Sequence, residues 1–181
     1  MSIAKLLAFA AGLLLLTGCG DTFDDLNPSG KDRRPQVETG IEGPYVGQNA
    51  ADFTLPDTLG NSVNLATELS DAKGVVLYFN MWCPICDSHM SHMRAAIMPA
   101  FPDVKFLVVD YVSGSVERSR AAQLANGYAG MTVLVDIHEQ VLNQFNATMG
   151  TTVVIDSSGI IRMNEDYKDG SKLYQILEAL P

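Results

Sequence analysis

The chain has 181 residues, 47% of them hydrophobic and 18% charged, with 12 Lys and Arg against 21 Asp and Glu and a formal net charge of -9. That length fits one globular domain with appendages rather than two full domains, and the acidic balance provides no basic stripe for phosphate contacts, which argues against nucleic acid as a partner. Three cysteines are too few for a disulfide-rich scaffold, and one of them falls in a targeting segment, so a single pair is left for redox chemistry.

Residues 1–18 read as a signal peptide. Lys5 precedes an apolar run from Leu6 to Leu16, too short for the roughly 20 residues that cross a bilayer but suited to a signal-peptide core. The run ends in Leu16-Thr17-Gly18-Cys19, which resembles the lipobox of bacterial lipoproteins. That resemblance implies a cleaved chain carrying lipid on Cys19, anchored in the cell envelope and facing the periplasm or the exterior; an ordinary secretory peptide or an uncleaved anchor is the alternative. Export would place the remaining thiols where disulfides persist. Residues 19–44, rich in Asp, Asn, Gly, Pro, Lys and Arg, show no sustained period and read as a flexible tether.

The domain is expected over residues 45–181. Phe53 to Leu65, turning through Pro56 to Asn61, predicts a β-hairpin, followed by a short helical turn near Ala66 to Leu69. Val75 to Phe79 is a continuous apolar run, as a buried parallel strand requires. Asp87 to Ile97 reads as a helix stopped at Pro99. Then come a buried strand at Val104 to Val109, a helix at Glu117 to Asn126, a strand at Thr132 to Val135 and a helix at Glu139 to Phe145. Thr151 to Ile155 and Ile160 to Met163 flank the turn Asp156-Ser157-Ser158-Gly159 as a hairpin, and Ser171 to Leu180 closes the chain as a helix. This alternation predicts an α/β fold, a central mixed sheet flanked by helices with an N-terminal β-hairpin extension.

The chemistry concentrates in Trp82-Cys83-Pro84-Ile85-Cys86, between a buried strand and a helix. A cysteine at a helix N-terminus directs its sulfur at unsatisfied N–H groups and the positive end of the helix dipole, which favours thiolate over the free pKa of about 8.5. Two intervening residues let the second sulfur reach the first and resolve a mixed disulfide. Cys83 is therefore the expected nucleophile and Cys86, further in, the resolving thiol. A structural disulfide or half a zinc site is the bland alternative, weakened by the short loop and the lack of a second cysteine pair.

Trp-Cys-Pro-x-Cys after a strand, preceded by Val46 to Asp57 and the Gly60 to Leu65 hairpin and followed by Thr151-Thr152-Val153-Val154-Ile155-Asp156-Ser157-Ser158-Gly159-Ile160-Ile161, is similar to the extracytoplasmic thioredoxin-like and alkyl hydroperoxide reductase superfamily. Its membrane-tethered members include thiol-disulfide oxidoreductases of cytochrome c maturation and of repair of oxidised proteins. The resemblance implies a thioredoxin-like fold and a redox-active disulfide with no other cofactor. It also implies an antioxidant type of activity on envelope proteins that carry thiols or disulfides, coupled to a membrane reductant or oxidant. Substrate contacts are expected at Trp82, whose ring can offer an apolar platform to a partner, and at Pro84, Met149, Gly150 and Thr151; Pro84 also tunes the relative stability of dithiol and disulfide. In that family a cis-proline precedes the Thr-Thr segment; here the position is Gly150, and Gly150→Pro is expected to strengthen exchange if the loop binds substrate in the family manner. The family's buried acid in the preceding strand is also missing, since Leu77, Tyr78 and Phe79 occupy that stretch.

Two other readings compete. Cys83, Cys86 and the thioether of Met149 would suit Cu(I), a soft ion, and resemble the Sco-type copper chaperones in part, although those use a wider cysteine spacing and a His where this chain has Thr148-Met149. A thiol peroxidase reading places Cys86 at the peroxidatic position and needs a guanidinium, for which Arg94, Arg118, Arg120 and Arg162 are candidates. His89 and His92 share one helix face and Met90 and Met93 another; one pair is expected to pack and the other to be solvated. His138 is expected at the surface, and Met81, Met98, Met131 and Met163 in packing roles.

Overall fold

The computed structural model describes residues 37–181; the expected signal peptide, Cys19 and most of the expected 19–44 tether lie outside the described residues. The apolar run at 75–79 becomes β3 (Gly74–Asn80), buried at every position. It is the middle strand of five, in the order β5-β4-β3-β6-β7, with β4 (Val104–Asp110), β5 (Thr132–Val135), β6 (Thr151–Asp156) and β7 (Ile161–Asp166). β3, β4 and β5 run parallel, and β6 and β7 return antiparallel. The register pairs Gly74 with Val104 and Asn80 with Asp110. A β-carbon on Gly74 would stand 2.7 Å from the Ile155 carbonyl oxygen, a separation that only glycine avoids.

The hairpin forms a separate two-stranded sheet, β1 (Thr54–Pro56) and β2 (Ser62–Asn64). Asp57 closes its turn by accepting from the Leu59 and Asn61 N–H groups at 2.8 Å each, and Thr58 N–H reaches Val133 O on β5 at 3.0 Å. Residues 37–49 form turns beside β7, where Asn164 Nδ2 donates to Pro44 O at 2.7 Å and Gly47 N–H to Ile161 O at 2.9 Å.

Strand alternation divides the core into two layers. Val76 and Tyr78 point to one face of the sheet, with Cys86, Met90, Met93, Val108, Val154 and Leu173; Val75, Leu77 and Phe79 point to the other, with Phe53, Leu65, Val141 and Phe145. Helices α1 (Leu65–Ser70), α2 (Pro84–His92), α3 (Val116–Ala125), α4 (Gln140–Gln144) and α5 (Ser171–Glu178) connect and cover the strands. None of the described helices is long and apolar enough to cross a membrane.

The expected elements are all present, with shifted ends. α2 starts three residues earlier than the reading from Asp87, because Pro84 sits in the first turn, where no N–H is needed. It then widens into a π turn at Met93–Ile97 before the short 3₁₀ turn Met98–Ala100. α4 begins after Glu139, which is left-handed, because Asp136 accepts from the N–H groups of Gln140, Val141 and Leu142. β7 extends to Asp166 because its pairing with β6 continues to Thr151.

Gly74→Ala forces the new methyl against the β6 backbone and is expected to lower stability by about 1 to 3 kcal/mol, read by urea unfolding of the reduced protein. An unchanged midpoint would show that the strand pair can separate freely.

Candidate active site

β3 ends in Asn80, and the chain must turn at once to start α2 over the Tyr78 face of the sheet. Trp82 makes that turn with φ of 57°, a left-handed conformation that side chains other than glycine seldom adopt. Two bonds hold it there. Its N–H donates to Asn80 Oδ1 at 2.9 Å, and its indole Nε1 donates to Asp110 Oδ2 at 2.7 Å. Asp110 is buried and also accepts from the N–H groups of Val112 and Ser113 and from the hydroxyls of Ser113 and Ser119. A carboxylate so fully satisfied is a fixed anchor.

The turn delivers Cys83 as the N-cap of α2. Its Sγ accepts the Cys86 N–H at 3.2 Å and stands 2.8 Å from Cys86 Sγ. Cys83 is half-buried and Cys86 fully buried, both as free thiols. Burial pushes the Cys83 thiol up, but the hydrogen bonds from the Cys86 thiol and from the N–H groups of Cys86 and Ile85 outweigh it and hold Cys83 below the ordinary thiol value. For Cys86, burial and its bond to Cys83 both push the thiol up. One helix turn therefore sets an outer sulfur fed by N–H donors in front of an enclosed inner one. Pro84 and Ile85 are exposed beside the outer sulfur, and Trp82 packs against the core with its ring edge tied to Asp110.

Met149 lies on the rim of the same core layer as Trp82 and Cys83. Gly150 follows with φ of 85°. Its N–H donates to Phe79 O at 2.9 Å, and its carbonyl accepts from Tyr167 N–H at 2.8 Å. No cis peptide occurs among the described residues. This geometry overturns the expectation for Gly150→Pro: proline would lose the bond to Phe79 and cannot adopt positive φ. Thr151 is buried, its hydroxyl bonded to Thr148 N–H and Asp166, so its side chain braces the loop.

Met90 and Met93 pack in the core, as expected of one pair. The histidine pair is tied to tyrosines instead of being simply solvated. His89 Nδ1 meets the Tyr78 hydroxyl at 3.0 Å, and His92 Nδ1 meets the Tyr167 hydroxyl at 2.5 Å. His138 is exposed. Arg94 bonds Gly127 O and lies over the Tyr128 ring, Arg120 bonds Gln123, and Arg162 bonds Asp156. Among the described residues, no three His, Cys, Asp or Glu side chains group to hold a metal ion, so a Cu(I) cargo would depend on two thiols and the Met149 thioether.

Sequence reading missed Asn80, Asp110 and the Tyr78–His89 pair. The first two had a signal: each is the polar residue that closes a buried apolar strand.

Residues 46–164 match the AhpC/TSA family model. Among curated proteins, no sequence match reaches significance. Solved structures with the same fold include peroxidoxin BcpB from Mycobacterium tuberculosis, 24% identical, with TM-score 0.62 over 75% of this chain and 97% of that one. Another is the thioredoxin domain of a thiol-disulfide oxidoreductase from Bacteroides vulgatus, 20% identical, with TM-score 0.61 over 74% and 96%. A third is MTB dsbF in mixed oxidised and reduced forms, 20% identical, with TM-score 0.59 over 71% and 95%. The fold is thioredoxin-like.

Alkylation of Cys83 follows its thiolate, so its rate is expected to reach half its alkaline plateau below the free-thiol value of about 8.5. Cys86→Ala, which removes a donor, is expected to raise that midpoint; a midpoint at the free value in the unaltered protein would contradict the capping geometry. Gly150→Ala meets no close atom but keeps an unfavourable φ, so it is expected to cost about 1 kcal/mol. Gly150→Pro is expected to cost about 3 kcal/mol or more, both read by thermal unfolding.

Proposed function

The chain belongs to the AhpC/TSA family, and we propose that within it this protein is a thiol-disulfide oxidoreductase acting through Cys83 and Cys86. One observation carries the reading: a half-buried, N-capping sulfur of lowered pKa with a buried, raised-pKa thiol 2.8 Å behind it. Cys83 thiolate attacks a partner disulfide, forming a Cys83–partner bond and releasing the first partner sulfur. Cys86 then attacks Cys83 Sγ, forms the intramolecular disulfide and releases the second. The partner gains two electrons and the dithiol loses two; the reverse direction oxidises a partner dithiol.

The exposed Pro84 and Ile85 and the half-buried Trp82 and Met149 form the surface on which a partner chain would lie. We place the protein in the bacterial envelope, held by lipid on Cys19 and recharged by a membrane reductant or oxidant, from the Leu16-Thr17-Gly18-Cys19 sequence.

Cys83→Ser is expected to abolish reduction of a protein disulfide, while Cys86→Ser retains the first step and accumulates mixed disulfides, visible on non-reducing gels. Equal activity of the two variants would reject the assignment.

A further inference from the structure

Resolution of the mixed disulfide requires Cys86 to lose a proton, yet burial disfavours its thiolate. The strand beneath it supplies no carboxylate: Val76 and Tyr78 are the residues of β3 in that core layer. Tyr78 is 1% exposed and lies in the same buried layer as Cys86, and its hydroxyl meets His89 Nδ1 at 3.0 Å. His89 is half-buried on α2, one turn beyond Cys86, and lies beside Gly150, where a β-carbon would come within 3.8 Å of its ring.

Building on the exchange reading above, we propose that Tyr78 and His89 form the proton relay that deprotonates Cys86 during resolution. Cys86 Sγ–H passes its proton to Tyr78 Oη as Tyr78 passes its own to His89 Nδ1. The freed sulfur electron pair forms the bond to Cys83 Sγ, the Cys83–partner bond breaks, and the partner leaves as a thiolate with that bond's electrons. The proton rests on the half-exposed imidazole and leaves to solvent. The relay needs the tautomer with Nδ1 accepting and Nε2 protonated.

The surroundings fit these roles. Burial, then the charge of Cys86, raises the Tyr78 hydroxyl far above neutrality, so it carries a proton to pass on. Burial lowers His89, with the Asp166 carboxylate pulling the other way, so the imidazole is neutral and able to accept at neutral pH. The other titratable groups here are accounted for. The Tyr167 ring lies 4.7 Å from that of His89, and its hydroxyl, pushed up to about 12 by burial and by the Asp169 charge, is bonded to His92. Cys83 is the attacked sulfur, and Tyr111, raised by burial and by both thiolates, lies on the β4 side.

The test uses the full reduced chain carrying Cys19→Ser, which leaves Cys83 and Cys86 as its thiols, and one equivalent of dithiobis(nitrobenzoate), an aromatic disulfide. Attack by Cys83 releases the first coloured thiolate, and resolution by Cys86 releases the second. Tyr78→Phe and His89→Gln are each expected to leave the first release unchanged and slow the second by about a hundredfold at neutral pH. In the parent chain the second rate is expected to hold level as pH falls until His89 protonates, below the ordinary imidazole value of about 6.5. In both variants it is expected to climb about tenfold per pH unit, as deprotonation by hydroxide alone requires. An unchanged second phase in either variant, or equal slowing of both phases, overturns the relay. His89→Gln, at a half-exposed position, carries the test if the buried Tyr78→Phe does not fold. Release of a single equivalent by the parent chain overturns the exchange reading itself, and the relay with it.

Discussion

The bond from the Cys86 N–H to the Cys83 sulfur exists only because the chain reverses within three residues of leaving β3, and the surrounding structure serves that reversal. A residue at φ of 57° must be held there against its own preference. Asn80 holds the Trp82 backbone and Asp110 holds its indole. Both anchors sit at the ends of neighbouring parallel strands, paired in register. Parallel pairing aligns strand C-termini at one edge of the sheet, so a site assembled there draws on several strands at once.

The opposite wall is built by the antiparallel strands. Gly150 spends its N–H on Phe79 and its carbonyl on Tyr167, which fastens the loop before β6 to the end of β3 and to the segment after β7. That loop turns on a trans, left-handed glycine, beside which the His89 ring lies at van der Waals distance. The same alternation that buries Phe79 on one face of β3 turns Tyr78 toward α2 on the other, under Cys86 and beside His89. The two thiols thus differ by position alone: one turn of helix separates a sulfur fed by N–H donors from one enclosed in the core.

Much of this was legible in the residues. Val75 to Phe79 is apolar throughout, and Val104 to Val109 apolar but for Lys105, because both of their faces are covered, and such runs announce central strands. Asp156-Ser157-Ser158-Gly159 announced the hairpin because Asp156 accepts from the turn's own N–H groups. α2 starts at Pro84 and not at Asp87 because a proline in the first turn costs the helix nothing. Asn80 and Asp110 were marked only as polar ends of apolar strands, and their bonds to Trp82, like that of Tyr78 to His89, were not legible, since each joins partners 2 to 28 residues apart brought close by sheet register and helix packing.

By itself the sequence determined the order of strands and helices and the pairing of Cys83 with Cys86, because apolar period and a two-residue spacing are local properties. It also marked Gly150 as the departure from the family pattern. Only the tertiary structure decided how Gly150 is used and what stands beside Cys86 in place of an acid. Those depend on which faces meet across the sheet, and burial and hydrogen-bond partners are set by neighbours in space, not in sequence.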